Sequence, residues 1–421
     1  MNQSSLLPSN KQDRLFEILN SSIPFLIGVF LFFNPYPHIT SIKEISFYGS
    51  VMILLTLISL KKTGFVLKTQ LSLPFLLFLL WSFCGLFFAL NRENSIHDFY
   101  AHLIKYLVLF YLLVNFFCSK ERLLALVWTI ISSTALFSMG LMIYFYLILG
   151  NDISTKLGHY IDQIPSNIIG ISTLFAMLLS LYQLTREENR YRKIILVICM
   201  CTTAVATLAT QTRGSIFAMF VSLILSFPKN RKILLFFSLF LAFVILIMPV
   251  KYRLTPDAIM GKIRVDDRTH IWYSYIEMVK DHPLTGIGFG MQTYFDENLL
   301  NKYNERVPSK YRQPVPHKAP HNMLVDIAVR TGLIGFVLFL YIIFEFLKMG
   351  WHLLRSGKDE FIRHWGLCFL VTFLAIFIQG QFENTMSGAP AIILYTILGM
   401  MAILWRLDGG PNTRNHDVPV H

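Results

Sequence analysis

The sequence predicts an all-α polytopic membrane protein with about twelve transmembrane helices, and three observations support this fold class. The chain has 421 residues, and 54% of them are hydrophobic. Apolar runs of roughly 15 to 25 residues recur along the chain, and a run of that length can cross a bilayer as a helix. Most basic residues lie in short connections between these runs, as topology signals do. The net charge of +12 therefore does not indicate a nucleic-acid partner.

The apolar runs give the order of the elements. Residues 1–21 form a polar N-terminal tail, and the first run is expected to stay as a signal anchor because no small-residue cleavage site follows it. Residues 22–250 contain nine predicted helices, residues 321–407 contain three more, and residues 408–421 form a C-terminal tail. The predicted spans are 22–36, 45–60, 71–90, 103–118, 123–149, 167–185, 192–210, 214–228, 232–250, 322–347, 364–381 and 390–406.

Charge predicts the orientation of these helices. Alternate connections contain several basic residues each: Lys61, Lys62 and Lys68; Lys120 and Arg122; Arg186, Arg190, Arg192 and Lys193; Lys229, Arg231 and Lys232; Lys348, Arg355, Lys358 and Arg363. The short connections on the other side contain only the isolated cations Lys43, Arg92, Lys156 and Arg213. Because basic residues favour the cytoplasmic side, this asymmetry predicts that both tails are cytoplasmic.

One outside connection, residues 251–320, is much longer than the others. Loops of about 70 residues usually carry function or fold on their own. Within this large loop, residues 268–282 place a set of apolar side chains near one helical stripe: Ile271, Trp272, Tyr275, Ile276, Met278 and Val279. The stripe predicts an amphipathic helix. Such a helix could lie on the membrane, cover the bundle or pack in the core of the loop itself.

Two further features of the large loop bear on cofactors. The segment PLTGIGFG at 283–290 contains three glycines, but a dinucleotide site needs a strand before them, so they predict a tight turn. Asp266 and Asp267 are adjacent and offer one alternative, a metal site, although no third ligand follows at a useful distance. The cysteines give neither a disulfide framework nor a zinc spacing. The sequence therefore predicts no metal and no cofactor.

The segment PHNMLVDIAVRTGLIG, residues 320–335, introduces the tenth predicted helix. Because Pro320 disfavours helix before it, His321 is expected near the first turn, at the outer face of the membrane. Helical spacing would then bring Gly332 and Gly335 to the same side as His321. Small residues let another helix or a lipid-linked chain approach closely. Alternatively, the glycines pack helices and His321 caps the helix end.

Two arginines are also expected at the outer face. Arg213, in ATQTRGSIF, lies where the seventh span ends and the eighth begins. Arg268 begins the amphipathic stripe of the large loop. Each could be a solvated or snorkelling arginine, or each could bind an anion.

These residues carry a resemblance to the bacterial O-antigen ligases. The pattern of a histidine, a polar residue, nine residues and GxxG is formed here by His321, Asn322, Gly332 and Gly335. Arg213 and Arg268 resemble arginines of that family, and HPLTGIGFG resembles a loop signature of the O-antigen ligase/polymerase superfamily. The resemblance covers most of the chain as architecture, with one large periplasmic loop between the ninth and tenth helices.

The resemblance implies a metal-independent, inverting glycosyltransferase of the GT-C type in the bacterial inner membrane, with its active site facing the periplasm. Its donor would be a glycan on undecaprenyl diphosphate, and its acceptor a sugar hydroxyl of the lipid A core. His321 would be the general base, because a neutral imidazole can accept the acceptor's proton. Arg213 and Arg268 would bind the diphosphate through bidentate contacts. Asn322, Gly332 and Gly335 would complete the substrate site.

A basic part of the large loop is a weaker candidate for acceptor binding. Its cations include Lys302, Arg306, Lys310 and Arg312. Because lipopolysaccharide cores are commonly phosphorylated, this segment could attract the acceptor electrostatically. It could equally be a solvated basic loop.

Three other functions are alternatives. An O-antigen polymerase and a protein O-oligosaccharyltransferase belong to the same superfamily, and the modest length favours the ligase. A secondary transporter should show related halves, and no convincing repeat is visible. Asp326 and Arg330 could form a transport site, but their spacing favours a pair that stabilises the helix. The residues do not identify the glycan, the acceptor sugar or an oligomeric state.

Overall fold

A computed structural model describes residues 11–158, 165–226 and 267–409. Within these ranges the regular structure is helical, without strands. The helices are α1 (Lys11–Phe32), α2 (Thr40–Ser59), α3 (Ser72–Gly85), α4 (Arg92–Phe116), α5 (Lys120–Ile148), α6 (Ser166–Leu184), α7 (Arg190–Ala209), α8 (Arg213–Ser226), α9 (Asp267–Asp281), α10 (Glu297–Arg306), α11 (Met323–Ser356), α12 (Glu360–Gly380) and α13 (Gly388–Asp408). Nine of these described helices are long and apolar enough to span a membrane. The predicted class, an all-α polytopic membrane protein, is therefore confirmed.

The predicted spans correspond to these helices with corrected ends. Each span overlaps one helix except 232–250, which lies outside the described residues. Helix α1 begins at Lys11, within the predicted polar tail, α4 begins at Arg92, and α11 continues to Ser356. Hydropathy marks only the part of a helix that suits lipid, whereas the backbone hydrogen bonds continue through the polar turns at its ends.

Hydrogen bonds and ion pairs join the connections into two separate ends of the bundle. At one end, backbone bonds of 2.9 Å run from Leu90 N to Ile287 O and from Leu157 N to Ala209 O. At the other end, Lys120 pairs with Asp359 at 2.7 Å, and Arg186 pairs with Glu360. These two ends contain, respectively, connections predicted to be outside and connections predicted to be cytoplasmic. We call them the outer end and the inner end.

The centre of the bundle is formed by α6 and α13, whose most apolar windows are each 83% buried. Helix α13 packs against α4, α11 and α12. The windows of α1 and α2 are only 22% and 28% buried, so these helices present most of their apolar surface outward. In a membrane protein, such surface faces lipid.

Helix α9 packs its apolar stripe inside the large loop and against α11. Ile271, Tyr275 and Met278 are buried in one cluster with residues of α10 and with Val329 of α11. Ile276, by contrast, is 43% exposed. Of the arrangements that the sequence left open, the stripe therefore forms the core of the loop, and α9 covers the outer part of α11.

The glycine-rich segment 283–290 docks against an interruption in α11. Gly332 has φ 69° and ψ −177°, a conformation that is essentially restricted to glycine. Val329 O and Arg330 O, which would accept from the next helical turn, accept instead from Ile287 N and Gly288 N at 2.9 and 3.2 Å. The expected continuous stripe from His321 through Gly332 to Gly335 is therefore wrong, because this turn replaces one turn of helix hydrogen bonds.

Candidate functional site

His321 lies immediately before α11, near its first turn as the sequence predicted. Asn322 is the N-cap, because its Oδ1 accepts hydrogen bonds from Leu324 N and Val325 N at 2.9 and 3.1 Å. His321 has a φ of 47°, which is uncommon for a residue with a side chain. The alternative in which His321 caps the helix end is therefore wrong. Asn322 supplies the cap, and His321 is held in a strained conformation of the kind often found at functional sites.

The imidazole of His321 contacts a carboxylate from a distant part of the chain. Nδ1 lies 3.1 Å from Oε2 of Glu383, and the two side chains are 35% and 22% exposed. If Nδ1 donates its hydrogen to this carboxylate, Nε2 presents its lone pair outward. A base oriented by a third group is the arrangement that activates a hydroxyl nucleophile.

Glu383 was missed in the sequence analysis. It lies in the connection 381–387, between α12 and α13. The signal that could have identified it is a carboxylate in a short connection on the same predicted face as His321. Asn322 helps to fix this connection, because its Nδ2 donates to Gln381 O at 3.3 Å.

The start of α8 lies against the same connection. A methyl group on Gly214 would be 3.0 Å from Cδ2 of Phe382, the neighbour of Glu383 in sequence. Arg213, the first residue of α8, is exposed, and among the described residues no carboxylate pairs with it. The structure therefore brings the start of α8, where Arg213 lies, and His321 to the same connection, which contains Phe382 and Glu383.

Helix α9 supports the segment that leads to His321. Trp272 Nε1 donates to Pro320 O at 3.0 Å, and the Tyr275 hydroxyl donates to His317 O at 2.8 Å. Arg268 is in the first turn of α9, and its side chain lies outside the described residues. Arg268 precedes Trp272 by four residues in this helix.

Residues 195–340 of the chain match the family model described as O-antigen ligase. The matched region includes Arg213, Arg268 and His321, whereas Glu383 lies beyond it. The match supports the O-antigen ligase/polymerase superfamily and an activity of that type on polysaccharides linked to membrane lipids. Among curated proteins, no match to the chain is found.

The two glycines of the ligase pattern contact the protein itself. A methyl group on Gly332 would be 2.7 Å from Thr285 N and closer still to the Leu284 carbonyl. A methyl group on Gly335 would overlap Thr331 and lie 3.1 Å from Trp81. In the matched region these glycines allow the turn at 283–290 and helix α3 to approach closely. Their role in substrate binding stays a prediction.

Asp326 and Arg330 form a closed ion pair inside the matched region. Their side chains are 0% exposed, with Arg330 Nη1 3.2 Å from Asp326 Oδ2. The Tyr294 hydroxyl donates to Asp326 at 2.8 Å, and Arg330 Nε donates to Phe289 O at 2.8 Å. Each charge is therefore satisfied within the fold. This geometry supports the interpretation as a structural pair rather than a transport site.

The cations of the basic segment in the large loop differ in their partners. Arg306 pairs with Asp281 at 2.7 Å, and this hydrogen bond holds the pKa of Asp281 below its usual range. Arg312 donates to backbone carbonyls of the same loop. The Nζ atoms of Lys302 and Lys310 lie 5.3 and 4.5 Å from the ring centroids of the tyrosines that follow them in sequence. Neither lysine has a carboxylate partner among the described residues. Acceptor attraction would therefore depend mainly on the two lysines.

The metal alternative gains no support from the described residues. They contain no group of three histidine, cysteine or acidic side chains that could hold an ion. Asp266 lies outside the described residues, and Asp267 is described only as the first backbone position of α9.

Proposed function

We propose that the protein is an O-antigen ligase that transfers a glycan from undecaprenyl diphosphate to a sugar hydroxyl of the lipid A core. It would work as a GT-C-type enzyme in the bacterial inner membrane, with the outer end of the bundle facing the periplasm. The observation that carries this proposal is the contact of 3.1 Å between His321 and Glu383, at the end of the bundle where α8 begins at Arg213.

His321 would act as the general base. The acceptor hydroxyl loses its proton to Nε2 as its oxygen forms a bond to the anomeric carbon of the donor. The bond from that carbon to the diphosphate breaks, so a single displacement inverts the configuration. Glu383 holds the ring through Nδ1 and stabilises the imidazolium that forms, as the acidic member of a catalytic triad does.

Arg213 and Arg268 would bind the diphosphate that leaves. A guanidinium group offers two parallel N–H donors to phosphate oxygens, and two such groups can neutralise much of the charge on the leaving group. The N-terminus of α8, which begins at Arg213, adds partial positive charge at the same point. Because protein cations supply this charge, the proposal requires no metal. Transfer should persist in excess chelator, and restoration of a lost activity by one divalent ion would contradict it.

Deletion of the gene separates the ligase from the polymerase. A ligase predicts loss of long glycan from lipopolysaccharide together with accumulation of lipid-linked polymer. Lipopolysaccharide that carries a single glycan unit would instead indicate the polymerase.

Variants of the base test the mechanism. With saturating donor and acceptor, purified His321→Gln should transfer glycan about a hundredfold to ten-thousandfold more slowly, because glutamine cannot take a proton near neutral pH. Glu383→Gln should also reduce the rate while preserving donor binding. The matched control is His317→Gln, since the centroid of the His317 ring lies 5.9 Å from that of His321. A transfer rate close to that of the wild type in His321→Gln would reject the assignment of His321 as the general base.

Variants of the arginines test the donor site separately. Arg213→Ala and Arg268→Ala should each weaken donor binding, and lysine should restore it poorly because the bidentate geometry is lost. Donor affinity measured on the purified protein checks this. Unchanged affinity in both alanine variants would exclude these residues from the diphosphate site.

A further inference from the structure

A cavity opens at the inner end of the bundle, away from His321. It has a volume of about 640 Å³ and lies between the inner ends of α5, α6, α7 and α12. Its wall includes the aromatic side chains of Trp128, Phe361 and Trp365, together with charged, polar and aliphatic residues. The connections around it are those predicted to be cytoplasmic. In a membrane, the cavity is therefore at the level of the inner lipid head groups.

Gln183 presents an unsatisfied acceptor in this lining. The residue is 6% exposed, and its Nε2 donates to Glu187 Oε2 at 3.3 Å. Because a carboxylate only accepts, this bond fixes the orientation of the amide. Oε1 is buried and accepts no hydrogen bond from any described residue. A buried oxygen without a donor costs free energy, so this position favours a ligand with N–H or O–H groups.

His364 adds a second acceptor. Its Nε2 lies 3.0 Å from Tyr182 O, and since a carbonyl only accepts, Nε2 carries the hydrogen. In the neutral ring, Nδ1 then has a free lone pair. Glu121 contributes an exposed carboxylate to the same lining. Several acceptors around one cavity suit a primary ammonium group, which has three donors and a positive charge.

Arg192 provides the opposite charge at the edge of the cavity. It is exposed, and among the described residues no carboxylate pairs with its guanidinium. Arg186 differs, because it pairs with Glu360. Arg192 is therefore placed to contact an anionic phosphate beside the ammonium group.

We propose that this cavity binds the head group of a phospholipid with a primary amine, a phosphoethanolamine. Its ammonium group donates to Gln183 Oε1 and His364 Nδ1, and its phosphate contacts Arg192. The first part of an acyl chain lies along Trp128 and Phe361. This site is separate from glycan transfer, because none of its residues contacts the His321 site.

Native mass spectrometry of the purified full-length protein tests this proposal. The probes are phosphatidylethanolamine, phosphatidylcholine and phosphatidylglycerol with identical acyl chains. Phosphatidylethanolamine should bind about tenfold more tightly than phosphatidylcholine, because a quaternary ammonium group cannot donate hydrogen bonds to the buried acceptors. Gln183→Leu should remove this preference, and Arg192→Gln should weaken the binding of all three lipids. Arg190 is exposed and lies two residues before Arg192, outside the cavity lining, so Arg190→Gln should change neither the preference nor the binding.

Equal binding of the three lipids, tighter binding of phosphatidylglycerol, or a preference that persists in Gln183→Leu would each overturn the proposal. A second measurement does not depend on the folding of that variant. In wild-type protein, phosphatidylethanolamine with brominated acyl chains should quench tryptophan fluorescence at lower concentrations than brominated phosphatidylcholine. The difference should shrink in Trp128→Phe, and equal quenching by the two lipids in the wild type would also reject the site.

Discussion

Replacement of Arg330 by methionine tests whether the buried pair of α11 is structural. The variant leaves the Asp326 carboxylate, which is 0% exposed, without its counterion. Removal of one partner from such a pair typically costs about 3–5 kcal/mol. The Phe289 carbonyl also loses the donor at 2.8 Å, which adds about 1–3 kcal/mol. We therefore expect the free energy of unfolding to fall by about 4 kcal/mol or more.

The double variant Asp326→Asn/Arg330→Met provides the internal control. It removes both charges and keeps an acceptor for the Tyr294 hydroxyl, so the Phe289 carbonyl is the main group left without a partner. The free energy of unfolding of the double variant should fall by about 1–3 kcal/mol, which is less than the fall expected for the single variant.

Unfolding in one detergent, followed by tryptophan fluorescence, measures both variants, and glycan transfer is assayed on the folded fraction. The structural interpretation fails if the free energy of unfolding of Arg330→Met is within about 0.5 kcal/mol of the wild-type value, as it would be for an ordinary surface substitution. It also fails if the double variant is less stable than the single one. Full stability with lost activity would instead place the pair in the reaction or in a transport path.

Three further predictions concern the outer end. Gly332→Ala should lower the free energy of unfolding by about 3 kcal/mol or more, because a methyl group would overlap a backbone carbonyl and φ is 69°. Thermal unfolding measures this, and the control Gly140→Ala, whose methyl group would meet open space, should be neutral in the same assay. Equal effects of the two substitutions would contradict this reasoning. Arg306→Gln should be less stable than the wild type at neutral pH, because Arg306 holds the pKa of Asp281 low. The difference should vanish as the pH falls below about 4 and the carboxylate protonates; a difference that persists in acid would argue against the pair. Lys310→Glu should raise the apparent Michaelis constant for the acceptor more at low salt than at high salt, whereas a salt-independent effect would exclude electrostatic attraction.

The amino-acid sequence was sufficient to predict the fold class and the position of most helices. A backbone in lipid must satisfy its own hydrogen bonds, so an apolar run of sufficient length can be assigned to a helix without knowledge of its neighbours. The distribution of basic residues likewise predicted which connections share an end. For this reason His321 and Arg213 could be assigned to one face before any contact between their helices was known.

Local pattern was insufficient at the start and the kink of α11. Both His321 and Asn322 can begin a helix, and only the hydrogen bonds to Leu324 and Val325 identify Asn322 as the cap. The segment around Gly332 reads as continuous apolar helix. Its interruption depends on the turn at 283–290, which supplies the replacement N–H donors.

Only the tertiary structure joined His321 to Glu383, 62 residues further along the chain. The connection that contains Glu383 is too short to show a pattern of its own, and its position depends on how α12 and α13 pack beside α8 and α11. The same holds for the inner cavity, where Gln183 and His364 come from separate helices. Hydropathy and helical spacing describe one segment at a time, whereas the geometry of a site depends on the packing of segments that are distant in sequence.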